Sequence, residues 1–177
     1  MTMETRGRKL YESDFFAWTQ MQAKLLRELD LKDRPSLANI DFRRVAEEIE
    51  GLGEAHLGTV RNLLRRIFTH LIQAASDMDS PTAQHWRTEI KTLQAELLDR
   101  HSRSMNQRID IDVLWRRAID IAGSALAEHD RCLRDTIPGV IPFTLEEFLA
   151  EPLDLEGMIE ELASPEADPP LRRDHSS

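Results

Sequence analysis

Every long segment of this 177-residue chain repeats its apolar residues at intervals of three and four, and no segment alternates them over the length of a strand. A period near 3.6 lays one apolar stripe along one side of a helix, whereas a half-buried strand needs a period of two. Composition agrees: 23 Leu and 16 Ala stand against four Val, and most of the Gly and Pro fall between the periodic segments. Leu and Ala are strong helix formers, and scarce β-branched residues leave little from which to build strands. The expected fold is all-α, a compact helical bundle of about five main helices plus short C-terminal helices.

Tyr11, Phe15, Trp18, Gln22, Leu25 and Leu29 make one stripe of a first helix that starts near Ser13 or Asp14, and Lys32-Asp33-Arg34-Pro35-Ser36 ends it. A second, shorter helix from about Asp41 is expected to carry Val45, Ile49 and Leu52 inward before Gly51 and Gly53 weaken or bend it. The third, from about Glu54 to Ala75, presents Leu57, Val60, Leu64, Ile67, Phe68 and Leu71. Ser80 and Pro81 form an N-cap and first-turn pair for a fourth helix that buries Trp86, Ile90, Leu93 and Leu97. A fifth carries Ile111, Leu114, Trp115, Ala118, Ile121, Ala122, Ala125 and Cys132 on its inner face. Thr144 with Glu147 three residues on is a capping box for a short helix, and Leu155, Met158, Ile159 and Leu162 add another turn or two.

A chain of 20.4 kDa fits one domain and hides roughly 70% of its unfolded surface on folding, so neither metal nor disulfide is needed for stability. The expected division is a flexible basic N-terminus over 1–10, one helical-bundle domain over 11–163, and a disordered tail over 164–177 whose only apolar contact is Leu171. Cys132 stands alone, and no charged plus apolar leader precedes the first helix, so a reducing cytoplasm is the expected home. No apolar run approaches the ~18 residues of a membrane span.

The net charge of −9 is concentrated at one end. Nine acids and no Lys or Arg lie between Thr136 and Leu171, which leaves the remainder balanced. A balanced body with an acidic end lacks the clustered cations that displace counterions from phosphates, which argues against nucleic acid as the partner. The acidic end reads as a contact or solubilising surface.

Tyr11-Glu12-x-Asp14-Phe15-x2-Trp18, Gln22-Ala23-x-Leu25-Leu26-Arg27 and Val45-Ala46-Glu47-Glu48-Ile49-Glu50-x-Leu52-Gly53 together resemble the bacterial domain of unknown function 29 family. His70-Leu71-Ile72, Trp86-x-Thr88-x-Ile90 and Pro142-Phe143-Thr144-Leu145-Glu146-Glu147-Phe148-Leu149 extend the resemblance over about residues 11–150, in order. It implies a compact helical bundle and carries no catalytic residue with it.

Glu47-Glu48-x-Glu50 beside a helical His70 first suggests a carboxylate and histidine metal site. Di-iron bundles use Glu-x-x-His on paired helices, and no Asp or Glu stands three residues before any of the six histidines. His129-x2-Cys132 offers two zinc ligands where four are needed. No metal or cofactor is therefore expected. At about 100° per residue Glu48 lies between Val45 and Leu52, so it is expected to face inward and meet His70 near Trp18 and Trp86 in a structural polar cluster. Arg65-x4-His70 matches a signature of small helical ribonucleases, but the two diverge by about 140° on one helix, whereas Arg66 and His70 share a face.

The sequence thus points to a macromolecule-binding module whose partner is another protein or a second copy, with no membrane involved. The alternative is a small helical ribonuclease that uses His70 with Arg65 or Arg66.

Overall fold

The computed structural model describes residues 3–30 and 39–164, all helices and turns with no strand among them. The helices are α1 (Met3–Ser13), α2 (Phe15–Asp30), α3 (Phe42–Ser76), α4 (Ala83–Arg100), α5 (Ile111–Ala127), α6 (Leu145–Phe148) and α7 (Leu155–Ala163), with a 3-10 helix over Arg103–Arg108. The expected all-α class holds, but the boundaries move. The segment read as a flexible N-terminus over 1–10 is helical from Met3, and the expected tail over 164–177 lies outside the described residues beyond Ser164.

Asp14 separates α1 from α2. Its carboxylate accepts the Ala17 N–H at 2.9 Å, so the chain restarts there as a capped helix, while Ser13 closes α1 by donating to the Lys9 carbonyl. The second and third helices of the sequence reading are instead one 35-residue helix, α3, running unbroken through Gly51 and Gly53. Asp41 caps it by accepting the Arg44 N–H at 2.9 Å. A helical glycine costs about 1 kcal/mol against alanine, and at Gly53 packing requires it. A Cβ there would overlap Thr19 Oγ1 and come within 3.1 Å of Thr19 Cβ.

The described residues form two compact units, one within residues 3–30, 39–61 and 100–109 and the other within residues 62–99 and 110–164. In the first unit α2 meets the N-terminal half of α3 where Gly53 lies against Thr19 and Phe16, and Ala23 on α2 and Ala46, Leu57 and Val60 on α3 are buried as well. Ser102 and Ser104 donate to the Asp14 carboxylate at 2.9 and 2.7 Å, which fixes the 3-10 helix to the start of α2 and buries Met105. Arg108 pairs with Glu54 at 2.8 Å and lies over the Phe16 ring.

The second unit has a larger core. Phe68 packs against Trp115 and Phe148, with centroids 5.8 and 4.8 Å apart, and the surrounding Leu64, Ile67, Leu71, Ile72, Ile90 and Leu97 have no exposed surface. Polar groups are satisfied locally: Trp115 Nε1 donates to the Pro138 carbonyl at 2.8 Å, and buried Gln94 donates to the Ala150 carbonyl at 2.7 Å. Thr144 and Glu147 form the expected capping box, and Asp154 caps α7. Helix α5 ends at Ala127, and Asp130 turns the chain at φ 56°, so Cys132 lies beyond the helix and is exposed rather than on its inner face. Ile121, also expected inward, is exposed.

Candidate functional site

The feature that stands out in the first unit is a face its core leaves uncovered. Of the expected inner residues, Phe15, Trp18 and Gln22 on α2 are half-buried, Leu25 on α2 is exposed, and Tyr11, which falls on α1, is exposed too. The buried positions are the next residues along, Phe16, Thr19 and Ala23. The same shift of one residue, about 100° of rotation, occurs on α3, where Ala46 and Gly53 are buried while Val45 and Leu52 are 40% and 57% exposed. Small residues let the two helix backbones approach, and that contact turns the bulkier stripe of α3 outward.

The outward stripe forms a groove of about 520 Å³ lined by Asn39, Ile40, Asp41, Arg44, Val45, Glu48, Ile49 and Leu52. Its floor is aliphatic and its rim carries one cation and two acids. Ile40 is 47% exposed. Isolated exposed apolar residues are ordinary, but a contiguous set with a polar rim marks an interaction surface. Sequence periodicity found Val45, Glu48, Ile49 and Leu52 and assigned them inward. The signal that would have corrected it is the alternate stripe of small residues, Thr19 and Ala23 on α2 and Ala46 and Gly53 on α3, all buried.

Beside this stripe, Tyr11, Phe15, Trp18 and His56 form a chain of edge-on and stacked rings with centroids 4.9–5.8 Å apart. His56 Nε2 lies 3.0 Å from the Arg100 carbonyl. Burial pushes the Asp14 carboxyl upward, but the hydrogen bonds from Ala17, Ser104 and Ser102 outweigh that and hold it below its ordinary value.

Of the expected cluster, Trp18 and Glu48 belong to the first unit and His70 and Trp86 to the second. Glu48 and His70 both stand on α3. Glu48 is exposed in the groove, and Trp18 packs with Tyr11 and Phe15. The inward expectation for Glu48 came from its place between Val45 and Leu52, and all three turn outward together. In the second unit His70 Nδ1 meets Gln73 Oε1 at 3.0 Å. Burial lowers the His70 pKa, with Gln73 and Glu89 opposing and Arg66 and His85 assisting. Trp86 is half-buried on α4.

For the hydrolytic alternative, Arg65 bonds the Asn62 side chain at 2.6 Å, back along its own helix, and Arg66 faces Glu89 at 3.8 Å. Helix α3 is undistorted here, so Arg65 and His70 keep their divergent directions. Among the described residues no group of three or more His, Cys, Asp or Glu side chains could hold a metal ion, and no helix is long and apolar enough to cross a membrane.

An all-helical domain with these motifs in this order defines the class. The family model "Domain of unknown function DUF29" matches residues 10–154, and the chain belongs to that family. It is also similar to a crystal structure of an alpha-helical protein of unknown function from Rhodospirillum rubrum, at 34% identity and a TM-score of 0.82, over 87% of this chain and 98% of that one. No curated protein matches.

Proposed function

We propose that the chain is a cytoplasmic protein-binding module whose contact surface is the α3 groove. The observation that carries this reading is the exposure of Val45 and Leu52 along one face of α3, with Ile40 exposed just before the helix begins. Keeping such a stripe in water forgoes about 25 cal/mol for each Å² that burial would recover, and a partner recovers it. The acidic end offers a weaker case as the contact surface, because Glu147 and Asp154 cap helices and Glu156 pairs with Arg87 at 3.2 Å. These acids act within the fold and keep the surface solvated.

The test is co-purification from native cells with tagged wild type and tagged Leu52→Glu. A charge at an exposed position leaves the fold intact, so the reading expects full helix content and loss of the specific partner. Retention of the same partner by Leu52→Glu would contradict it.

A further inference from the structure

We propose that the α3 groove is filled by the same groove of a second copy of this chain, the two helices running antiparallel across a two-fold axis. The inference rests on reading the groove as a contact surface and adds its occupant. Arg44 and Glu48 line the groove one helical turn apart, a spacing at which they could pair along the helix. Neither side chain has a hydrogen-bond or ion-pair partner among the described residues.

Along α3 the cation precedes the anion. A two-fold axis reverses that order in the second copy, so an axis level with Ala46 sets Arg44 of each chain opposite Glu48 of the other. The same axis brings the Leu52 end of this stretch in each copy toward the N-terminal end of α3 in the other, where Ile40 is exposed just before the helix, so exposed apolar groups meet at both ends of the contact. The Arg44 and Glu48 charges are thus self-complementary about one point. A parallel copy would instead set Arg44 against Arg44 and Glu48 against Glu48. Isologous contact of this kind is the commonest way for identical chains to associate. About three turns of helix make a small interface, so association is expected in the range of about 10–100 µM.

Sedimentation velocity of the full chain, run from about 1 to 500 µM, tests this, with circular dichroism showing that each variant keeps its helix content. Wild type is expected to pass from monomer to dimer across that range. Arg44→Glu and Glu48→Arg each place two like charges in contact and are expected to weaken association about tenfold or more. The double variant R44E/E48R restores both pairs and is expected to return to within about threefold of wild type. Leu52→Glu is expected to remain monomeric throughout.

A wild type monomeric to the top of the range overturns the second copy as occupant. A dimer that persists in Leu52→Glu overturns its location, and folded single variants that the double variant does not rescue overturn the antiparallel pairing. The two readings fail separately. A monomeric wild type whose co-purifying partner is lost in Leu52→Glu leaves the binding module standing with a different occupant, and a partner retained by Leu52→Glu removes both.

Discussion

In the unit built on the C-terminal half of α3, Phe68, Trp115 and Phe148 fill the space between helices with rings, and the apolar stripe read from sequence is the buried one. In the unit built on the N-terminal half, Thr19, Ala23, Ala46 and Gly53 occupy the contact, and the apolar stripe read from sequence lies outside. One helix therefore follows both rules. Bulky side chains hold neighbouring helices apart and pack by volume, whereas small ones admit close backbone approach and pack by fit. The lesson is that an amphipathic pattern fixes the existence of a helix more firmly than its rotation. Where a second stripe of small residues competes, the larger residues can be left for a partner.

The largest effect expected from breaking this contrast is at the bulky core. Trp115→Ala removes a fully buried ring and its Nε1 bond, and it is expected to cost about 3–5 kcal/mol in urea unfolding. Gly53→Val comes next. Its side chain would be driven into Thr19, so a loss of about 1–3 kcal/mol is expected, whereas Gly51→Ala, two residues earlier on the opposite face of the helix and in open space, is expected to stabilise by up to about 1 kcal/mol. A Gly53→Val chain as stable as wild type would remove the close contact from the account.

Asp14→Asn probes the polar fastening of the first unit. The folded carboxyl has a lowered pKa, so the ionised form is favoured by folding. Its contribution is fully present above the ordinary value of 3.8 and is lost as pH falls through the lower folded value. The variant is expected to be less stable than wild type near neutrality, with the gap closing below pH 3.8. His70 gives the counterpart in the second unit. Its folded pKa is below 6.5, so its neutral form is favoured and stability falls as pH drops below that value. His70→Gln is expected to flatten this slope, and it should leave any slow background degradation of RNA unchanged. Loss of a genuine ribonuclease activity in that variant would restore the hydrolytic reading.

The smallest effect is expected on the outward stripe. Val45→Ser and Leu52→Glu should each change unfolding free energy by less than about 0.5 kcal/mol, since neither removes buried surface that the fold depends on. A loss of several kcal/mol at either position would place it in the core.

Much of the fold was legible because its signals are local. The capping box at Thr144 and Glu147 and the N-cap at Asp41 involve residues three apart and need no tertiary information. Apolar residues at Leu64, Ile67, Phe68 and Leu71 are buried as their period implies. The start of α2 at Asp14 was legible in the same way, from a cap three residues long. The continuity across Gly51 and Gly53 was not, because a contact distant in sequence, Gly53 with Thr19, bears on it. The candidate site was half legible for the same reason. Val45, Ile49 and Leu52 were found as a stripe with Glu48 beside them, but which way that stripe faced depended on α2.

Thiol accessibility at two positions of α3, one on each stripe, tests the outward rotation most directly. In a Cys132→Ser background, which removes the single native thiol, Ala46→Cys and Leu52→Cys can be compared for reaction with an aromatic disulfide reagent at low protein concentration. The account expects Leu52→Cys to react at the rate of an exposed thiol and Ala46→Cys at least about tenfold more slowly, because Ala46 has no exposed surface while Leu52 is 57% exposed. Equal rates, or faster reaction at Ala46→Cys, would show that the apolar stripe faces the core after all and that the groove is not a surface.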